Sequence, residues 1–327
     1  MTAVVTVQGD TVENVKLLPS REITVEITTY CGARCVMCPR HKYRFPCEHM
    51  EMGLFKSVVD QAVELDVLSL NTCGFGDVFM DPDLEEKFSY VKSKYPSVKI
   101  FVSSTGHLIH ENNMHLLRYI DTLRISMYGT TKETYEMIHR GSLRFENVMA
   151  NIDRVLALPK PRPYLMMNFL VLPENKHQIE DFKRFESRVD EVIIWLPHTF
   201  ISSYEAGLGN KGNPRSCGRP IKGDFFVHAN GEVSVCCFDY NRDLTIGDLR
   251  TERLDSVLRG EKLAKIRDVH AKGTFSGSDL LCTKCDQLYD RSDALLYATN
   301  RKRKIGVLTS HPDLVIDVLN GVEPAKV

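Results

Sequence analysis

From residue 21 to about residue 200 the apolar positions of this chain follow two alternating periods. Short segments of period two read as strands, and longer segments with apolar residues three and four apart read as helices. Glu22–Thr28 alternates apolar and polar residues and predicts a first strand. Leu54–Leu65 carries helical spacing, Val67–Leu70 and Val98–Val102 read as short strands, and His110–Tyr119 reads as a helix. A strand is predicted at Leu123–Met127, helices at Thr131–Ile138 and Phe145–Leu158, a strand at Tyr164–Leu172, a helix at His177–Arg188 and a strand at Val192–Leu196. Repeated strand–helix units predict an α/β fold with a parallel sheet or barrel. Such folds place their chemistry on the loops that follow the C-terminal ends of the strands.

The pattern changes after residue 200. Residues 201–216 are rich in Gly, Ser and Asn and read as a linker. Phe225–Ala229 and Glu232–Cys236 read as two strands joined by Asn230-Gly231, a dipeptide that favours a tight hairpin turn. Arg253–Val269 reads as one helix. The expected organisation is an extension over 1–20, a large unit over 21–200, the linker, a small unit over 217–290 and a tail over 291–327.

Composition narrows the function classes. The chain has 327 residues, 43% hydrophobic and 26% charged, enough for a sizeable core. A formal net charge of −1 gives no electrostatic reason to expect nucleic acid or an anionic membrane as a partner. The basic run Arg301-Lys302-Arg303-Lys304 is expected to be a solvated face. The first residues lack a secretory pattern, and nothing approaches the ~18 apolar residues of a membrane span. The expectation is a soluble, cytoplasmic protein.

In that setting ten cysteines point to metal or redox chemistry rather than disulfides. Cys31, Cys35 and Cys38 form a C-x3-C-x2-C triplet directly after the first strand. Three thiolates leave one iron of a 4Fe–4S cluster open for a ligand, since such clusters normally take four cysteines. A structural zinc site wants four ligands and fits the triplet less well. Cys217, Cys236, Cys282 and Cys285 make a second set of four. Spacing alone leaves this set open between a zinc ribbon and an iron–sulfur site. Cys236 and its neighbour Cys237 should point to opposite faces of a strand, so only one of them can readily join a given site.

The triplet resembles the signature of the radical S-adenosylmethionine (SAM) superfamily. The resemblance implies a partial (β/α)6 barrel in which SAM chelates the open iron and is reductively cleaved. The resulting deoxyadenosyl radical then takes a hydrogen atom from the substrate. By the same resemblance Met37 packs near adenine. Gly74-Phe75-Gly76-Asp77 stands where the family receives SAM's amino group, with Asp where the family has Glu. Ser103, Ser104 and Thr105 would meet the ribose and carboxylate, and Ser126 and Arg140 are further candidates for the carboxylate. Gly231 and the second cysteine set resemble the SPASM and twitch branch, in its form with one auxiliary 4Fe–4S cluster. That implies Cys236 rather than Cys237 as ligand, and two 4Fe–4S clusters with SAM as cofactors.

The branch implies a small-molecule substrate or a short peptide, and an electron donor of flavodoxin or ferredoxin type. The expected reaction is two-electron oxidation of an aminocyclitol or sugar-like alcohol. The alternatives are modification of a ribosomal peptide, for which the short extension leaves little room for an N-terminal peptide-binding domain, and redox-neutral epimerisation. Epimerisation would need a thiol hydrogen donor, for which Cys47, Cys73 and Cys237 are available; each also reads as a small buried hydrophobe. Tyr128, Trp195 and His198 lie near strand ends and could touch substrate, with core packing the plainer role for Trp195. From another class, a non-enzymatic zinc-binding scaffold remains open.

Overall fold

The computed structural model describes residues 17–204, 214–223, 225–288 and 295–299. Most of the expected extension, linker and tail, and the basic run at 301–304, lie outside the described residues. Six parallel strands form the frame: β1 (Glu22–Val25), β2 (Ser69–Thr72), β3 (Lys99–Ser104), β4 (Thr122–Ser126), β5 (Tyr164–Leu170) and β6 (Glu191–Trp195). They stand in sequence order, as right-handed strand–helix–strand units should. Helices α1 (Met52–Glu64), α2 (Leu84–Lys94), α3 (Lys132–Ile138), α4 (Phe145–Ala157) and α5 (Ile179–Lys183) fall between the strands. The architecture is the expected mixed α/β fold with a parallel sheet. Side chains such as Ile100, Val102, Leu123 and Ile125 are fully buried in the main core, together with Phe55, Phe88 and Val148 from the helices.

The sheet does not stop at the frame. β7 (Phe226–Val227) pairs parallel with β1, and β8 (Glu232–Ser234) and β9 (Thr245–Asp248) extend the sheet antiparallel. The expected small unit is thus hydrogen-bonded into one ten-stranded sheet with the large one. At the other edge, β10 (Leu295–Ala298) pairs antiparallel with β6, so part of the expected tail is a strand. In the β7–β8 turn only Gly231 has a positive φ, +94°; Asn230 does not, so the hairpin differs from the two-residue turn the dipeptide suggests.

Three expected helices are broken. Residues 253–269 divide at Gly260, whose ψ of 154° is extended, into α7 (Leu254–Arg259) and α8 (Glu261–Lys272). Residues 177–188 form the short α5 flanked by 3-10 turns, and 111–119 is 3-10 throughout. No helix among the described residues is long and apolar enough to cross a membrane.

Helix α2 is tied to the loop after β2 by an ion pair with no solvent contact. Lys87 Nζ lies 2.6 Å from Asp81 Oδ2, and both side chains are 0% exposed. The other oxygen of Asp81 accepts from the Asp83 amide at 2.9 Å. Replacing Lys87 with Met strands a buried carboxylate and should cost about 3–5 kcal/mol. Urea unfolding followed by the fluorescence of Trp195, the one tryptophan, measures this. A loss much below that range would show that water reaches Asp81 readily.

Candidate functional site

The loops at the C-terminal ends of the frame strands enclose a cavity of about 260 Å³. Cys31, Cys35, Cys38 and Met37 line it from the loop after β1. The loop after β2 supplies Cys73 and Gly74 to Asp77, and β3 supplies Ser103, Ser104 and Thr105. Arg124, Ser126 and Tyr128 come from β4 and its exit, Asn168 and Leu170 from β5, and Trp195 and His198 from β6 and its exit. Trp195 also packs among the apolar residues of a second core cluster, so it both fills core and faces the cavity. Phe226, Cys237 and Phe238 close the cavity from the C-terminal part of the sheet.

The loop 74–77 is pressed onto the chain leaving β1. Glu26, buried at the end of β1, accepts a hydrogen bond from the Phe75 amide at 2.8 Å. The Asp77 amide donates to the Tyr30 carbonyl at 2.8 Å. A Cβ at Gly76 would stand 2.0 Å from the Thr28 carbonyl oxygen, and one at Gly74 would stand 2.5 Å from the Glu26 carboxylate. Only glycine fits at either position. The Asp77 side chain is occupied by the protein itself. It accepts from Ser104 Oγ at 2.9 Å, from the Thr105 amide at 2.9 Å, from Thr105 Oγ1 at 2.7 Å and from the Phe79 amide at 3.2 Å. Its carboxylate therefore joins the ends of β2 and β3, and the loop's backbone is what remains to meet a ligand.

The three thiols of the triplet lie within each other's electrostatic reach. Burial and the nearby Asp77 carboxylate push the Cys31 thiol up to about 11. Burial, with Cys38 and Cys31 beside it, pushes Cys35 well up, and burial raises Cys38. One cation works against this. Arg40 donates to the Cys31 carbonyl at 2.9 Å and draws all three thiols towards the thiolate. Crowded thiols that hold their protons without metal, beside a guanidinium and an open cavity, fit a metal cluster with one free coordination position.

The second set is separate and enclosed. Cys217, Cys236, Cys282 and Cys285 line a small cavity of about 20 Å³ together with Arg219, His270 and Gln287. A hydrogen bond with Cys237 and burial push the Cys236 thiol well up; burial also raises Cys217, Cys282 and Cys285. Cys236 faces this cavity, while Cys237 faces the large one. Four thiols converging on one small, largely buried cavity fit a fully ligated metal or cluster.

The sequence model of the radical SAM superfamily matches residues 25–185, and that of an iron–sulfur cluster-binding domain, SPASM, matches residues 217–286. The chain belongs to the radical SAM superfamily. It is an enzyme of that superfamily with a SPASM domain, the two domains that mark 4Fe–4S clusters and SAM binding. No curated protein matches it. Among solved structures, BtrN in complex with AdoMet and 2-DOIA is similar at a TM-score of 0.58 and 16% identity, covering 84% of this chain and 98% of BtrN. Streptococcus suis SuiB bound to precursor peptide SuiA gives a TM-score of 0.62 at 13% identity, covering 82% of this chain and 70% of SuiB. Native anSMEcpe with bound AdoMet and Cp18Cys peptide gives 0.56 at 15% identity, covering 74% and 81%. These likenesses establish a shared fold.

Within this radical SAM fold two expected residues lie away from the cavity. Arg140 is exposed beyond the end of α3 with a φ of +50° and does not line the cavity. Cys47 sits 3.8 Å from Arg40 Nη2 and does not line it either. Arg124 was missed and is the one Lys or Arg among the described lining residues. Its Nε and Nη2 each donate to Ser103 Oγ at 3.2 Å across the β3–β4 pairing. The alternation Leu123-Arg124-Ile125-Ser126 places Arg124 on the face of Ser126, which is the signal that finds it. Asn168, opposite Ser126 in the β4–β5 pairing, is a polar residue within an otherwise apolar strand and carries the same signal.

Gly76→Ala should weaken SAM binding to the reconstituted enzyme by at least roughly tenfold, about 1.4 kcal/mol. Titration calorimetry measures it against Gly53→Ala, where a Cβ meets nothing within 4 Å. Equal affinity in the two variants would remove the 74–77 loop from the SAM site.

Proposed function

We propose that this enzyme oxidises a small hydroxylated molecule by two electrons, with SAM and a 4Fe–4S cluster at Cys31, Cys35 and Cys38 and a second 4Fe–4S cluster at Cys217, Cys236, Cys282 and Cys285. The observation that carries the reading is the division of the thiols into a set of three on an open cavity and a set of four around a closed one. When bound, the first cluster with SAM would supply hydrogen-atom abstraction, and the second a one-electron acceptor. The backbone of Gly74–Asp77 would receive SAM's amino group, and Arg124 with Ser103 and Ser126 its carboxylate. Phe75, Phe200 and Phe238 would hold the substrate against the wall shared with the four-thiol cavity and keep water out. Reducing electrons would come from a flavodoxin- or ferredoxin-type donor.

The cavity's polarity supports a neutral sugar-like alcohol over an amine-rich one. Asp77 is the only carboxylate among the described lining residues, and its oxygens are taken by Ser104, Thr105 and Phe79. The protein itself offers no free carboxylate to a substrate ammonium there, so a counter-charge would have to come from the bound cluster. BtrN with 2-DOIA supports a small molecule, and SuiB with a precursor peptide supports the alternative of peptide modification.

Anaerobic reconstitution should give about eight irons per chain, two four-iron clusters. Replacing Cys31, Cys35 and Cys38 together with Ala should leave about half the iron and abolish SAM cleavage. Iron near four in the intact enzyme, with zinc bound elsewhere, would defeat the second-cluster assignment.

Cys73 and Cys237 both line the cavity, which favours epimerisation as the second reading. A thiol that returns a hydrogen atom exchanges it with solvent. Neutral polyols, amino-substituted analogues and short peptides can be screened for stimulated release of deoxyadenosine. Turnover of the hit in heavy water should then give a product two electrons more oxidised and unlabelled at the reacting carbon. One solvent deuterium fixed at that carbon, blocked by Cys73→Ala or Cys237→Ala, would establish epimerisation instead.

A further inference from the structure

We propose that Arg219 is the counter-charge of the four-thiol site, stabilising an anionic cluster there and most strongly its reduced form, so that the cluster accepts an electron more readily. The inference rests on the reading that Cys217, Cys236, Cys282 and Cys285 hold an iron–sulfur cluster. Arg219 opens the short helix α6 (Arg219–Lys222), two residues after Cys217, between two glycines of left-handed φ. Its side chain is turned inward and the residue is 2% exposed. It lines the cavity of the four thiols, donates to Gln287 Oε1 at 3.2 Å, and its guanidinium carbon lies 4.7 Å from the centre of the Phe238 ring. A buried guanidinium in that position is costly unless anionic partners surround it.

The field of Arg219 reaches most of the site. Arg219 lines the cavity together with all four thiols, and its positive charge acts on Cys217, Cys236 and Cys285. One other group outweighs it at a single thiol: Asp286 raises Cys285 more than Arg219 lowers it. His270 lines the same cavity, and burial lowers it to about 4, so it is neutral at ordinary pH. Asp286 acts on the adjacent Cys285, and Asp239 acts on Cys282 while accepting from Ser234 and the Asp243 and Leu244 amides. On the other side of the wall, burial and then Arg219 lower His198 to about 3, which keeps a neutral imidazole on the large cavity. Arg219 thus stands behind Phe238, between the two cavities.

A cluster held by four thiolates is anionic and gains one further negative charge on reduction. Its potential follows net charge, hydrogen bonds to sulfur and solvent exposure. A fixed cation in a site with little water therefore favours the reduced form more than the oxidised one. Arg219→Gln should lower the reduced-to-oxidised ratio of the second cluster roughly tenfold at a fixed solution potential, about 59 mV for one electron. Arg219→Lys should keep most of the wild-type ratio. The experiment is an electron paramagnetic resonance redox titration of the reconstituted full-length enzyme with both clusters. Addition of SAM separates the signals, because only the first cluster binds it. The first cluster's potential should not move in either variant.

Loss of the second cluster from the Gln variant, with retention in the Lys variant, would also support the counter-charge. An unchanged second-cluster potential in Arg219→Gln would overturn it. So would loss of the cluster from both variants, which would make Arg219 a packing element. A failure of the underlying reading looks different: wild-type iron stays near four per chain and zinc fills the second site before any titration begins.

Discussion

The two cysteine sites are held in one framework by the backbone of β1. On one side β1 pairs with β2, whose exit loop carries Gly74 to Asp77. On the other, the Thr24 amide donates to the Phe225 carbonyl at 3.1 Å and the Glu26 amide to the Val227 carbonyl at 2.8 Å. Those bonds fasten β7, and through it β8 and the loop of Cys236 and Cys237, to the strand that delivers the cysteine triplet. β7 is two residues long, too short to hold its place by itself. Its own Phe226 and its neighbours Phe225, His228 and Ala229 are all at least 98% buried, so packing rather than strand length secures the joint. The separation between the sites is thereby set by a hydrogen-bonded sheet instead of a linker.

The carboxylates near the cavity are almost wholly committed to building it. Glu26 holds the Phe75 amide, Asp77 gathers the ends of β2 and β3, and Asp81 is neutralised by Lys87. This leaves an interior rich in hydroxyl, amide, thiol and aromatic groups with Arg124 as its lining cation. The arrangement is ordered in advance: buried acids bonded by several donors cannot reorient to follow a ligand without losing those bonds. The glycines at 74 and 76 follow from the same compaction, since the loop lies directly on the Thr28 carbonyl and the Glu26 side chain.

Much of this was legible along the chain, and the failures have physical causes. The six frame strands were read within a few residues because fully buried parallel strands are dense in Val, Ile and Leu. Helix α2 was overlooked although Leu84, Phe88 and Val91 keep helical spacing, with Glu85 and Glu86 in the first turn and Lys92 and Lys94 in the last. β7 falls inside the strand expected at Phe225–Ala229, whereas β9 and β10 were not read and are held by pairing with a neighbouring edge. The cysteines stood out because thiol spacing is rare by chance. Arg124 and Glu26 did not, since each is a single charged residue in a strand whose partner lies on another strand or loop. Arg140 was a candidate by resemblance alone, and it stands exposed just beyond the end of α3.

The adjacent cysteines show how backbone geometry can divide chemistry between compartments. Beyond the end of β8, Cys236 faces the closed cavity and Cys237 the open one, while their thiols remain close enough to hydrogen-bond. Phe238 completes the partition, with its ring 3.8 Å from His198 on the open side and 4.7 Å from Arg219 on the closed side. The wall is therefore about one aromatic ring thick. Such a wall leaves the charge behind it only partly screened, because no bulk solvent fits between rings this close. That combination explains why a cation on the closed side helps to hold the histidine on the open side neutral. The two cavities are thus divided by a thin aromatic wall while sharing one electrostatic environment.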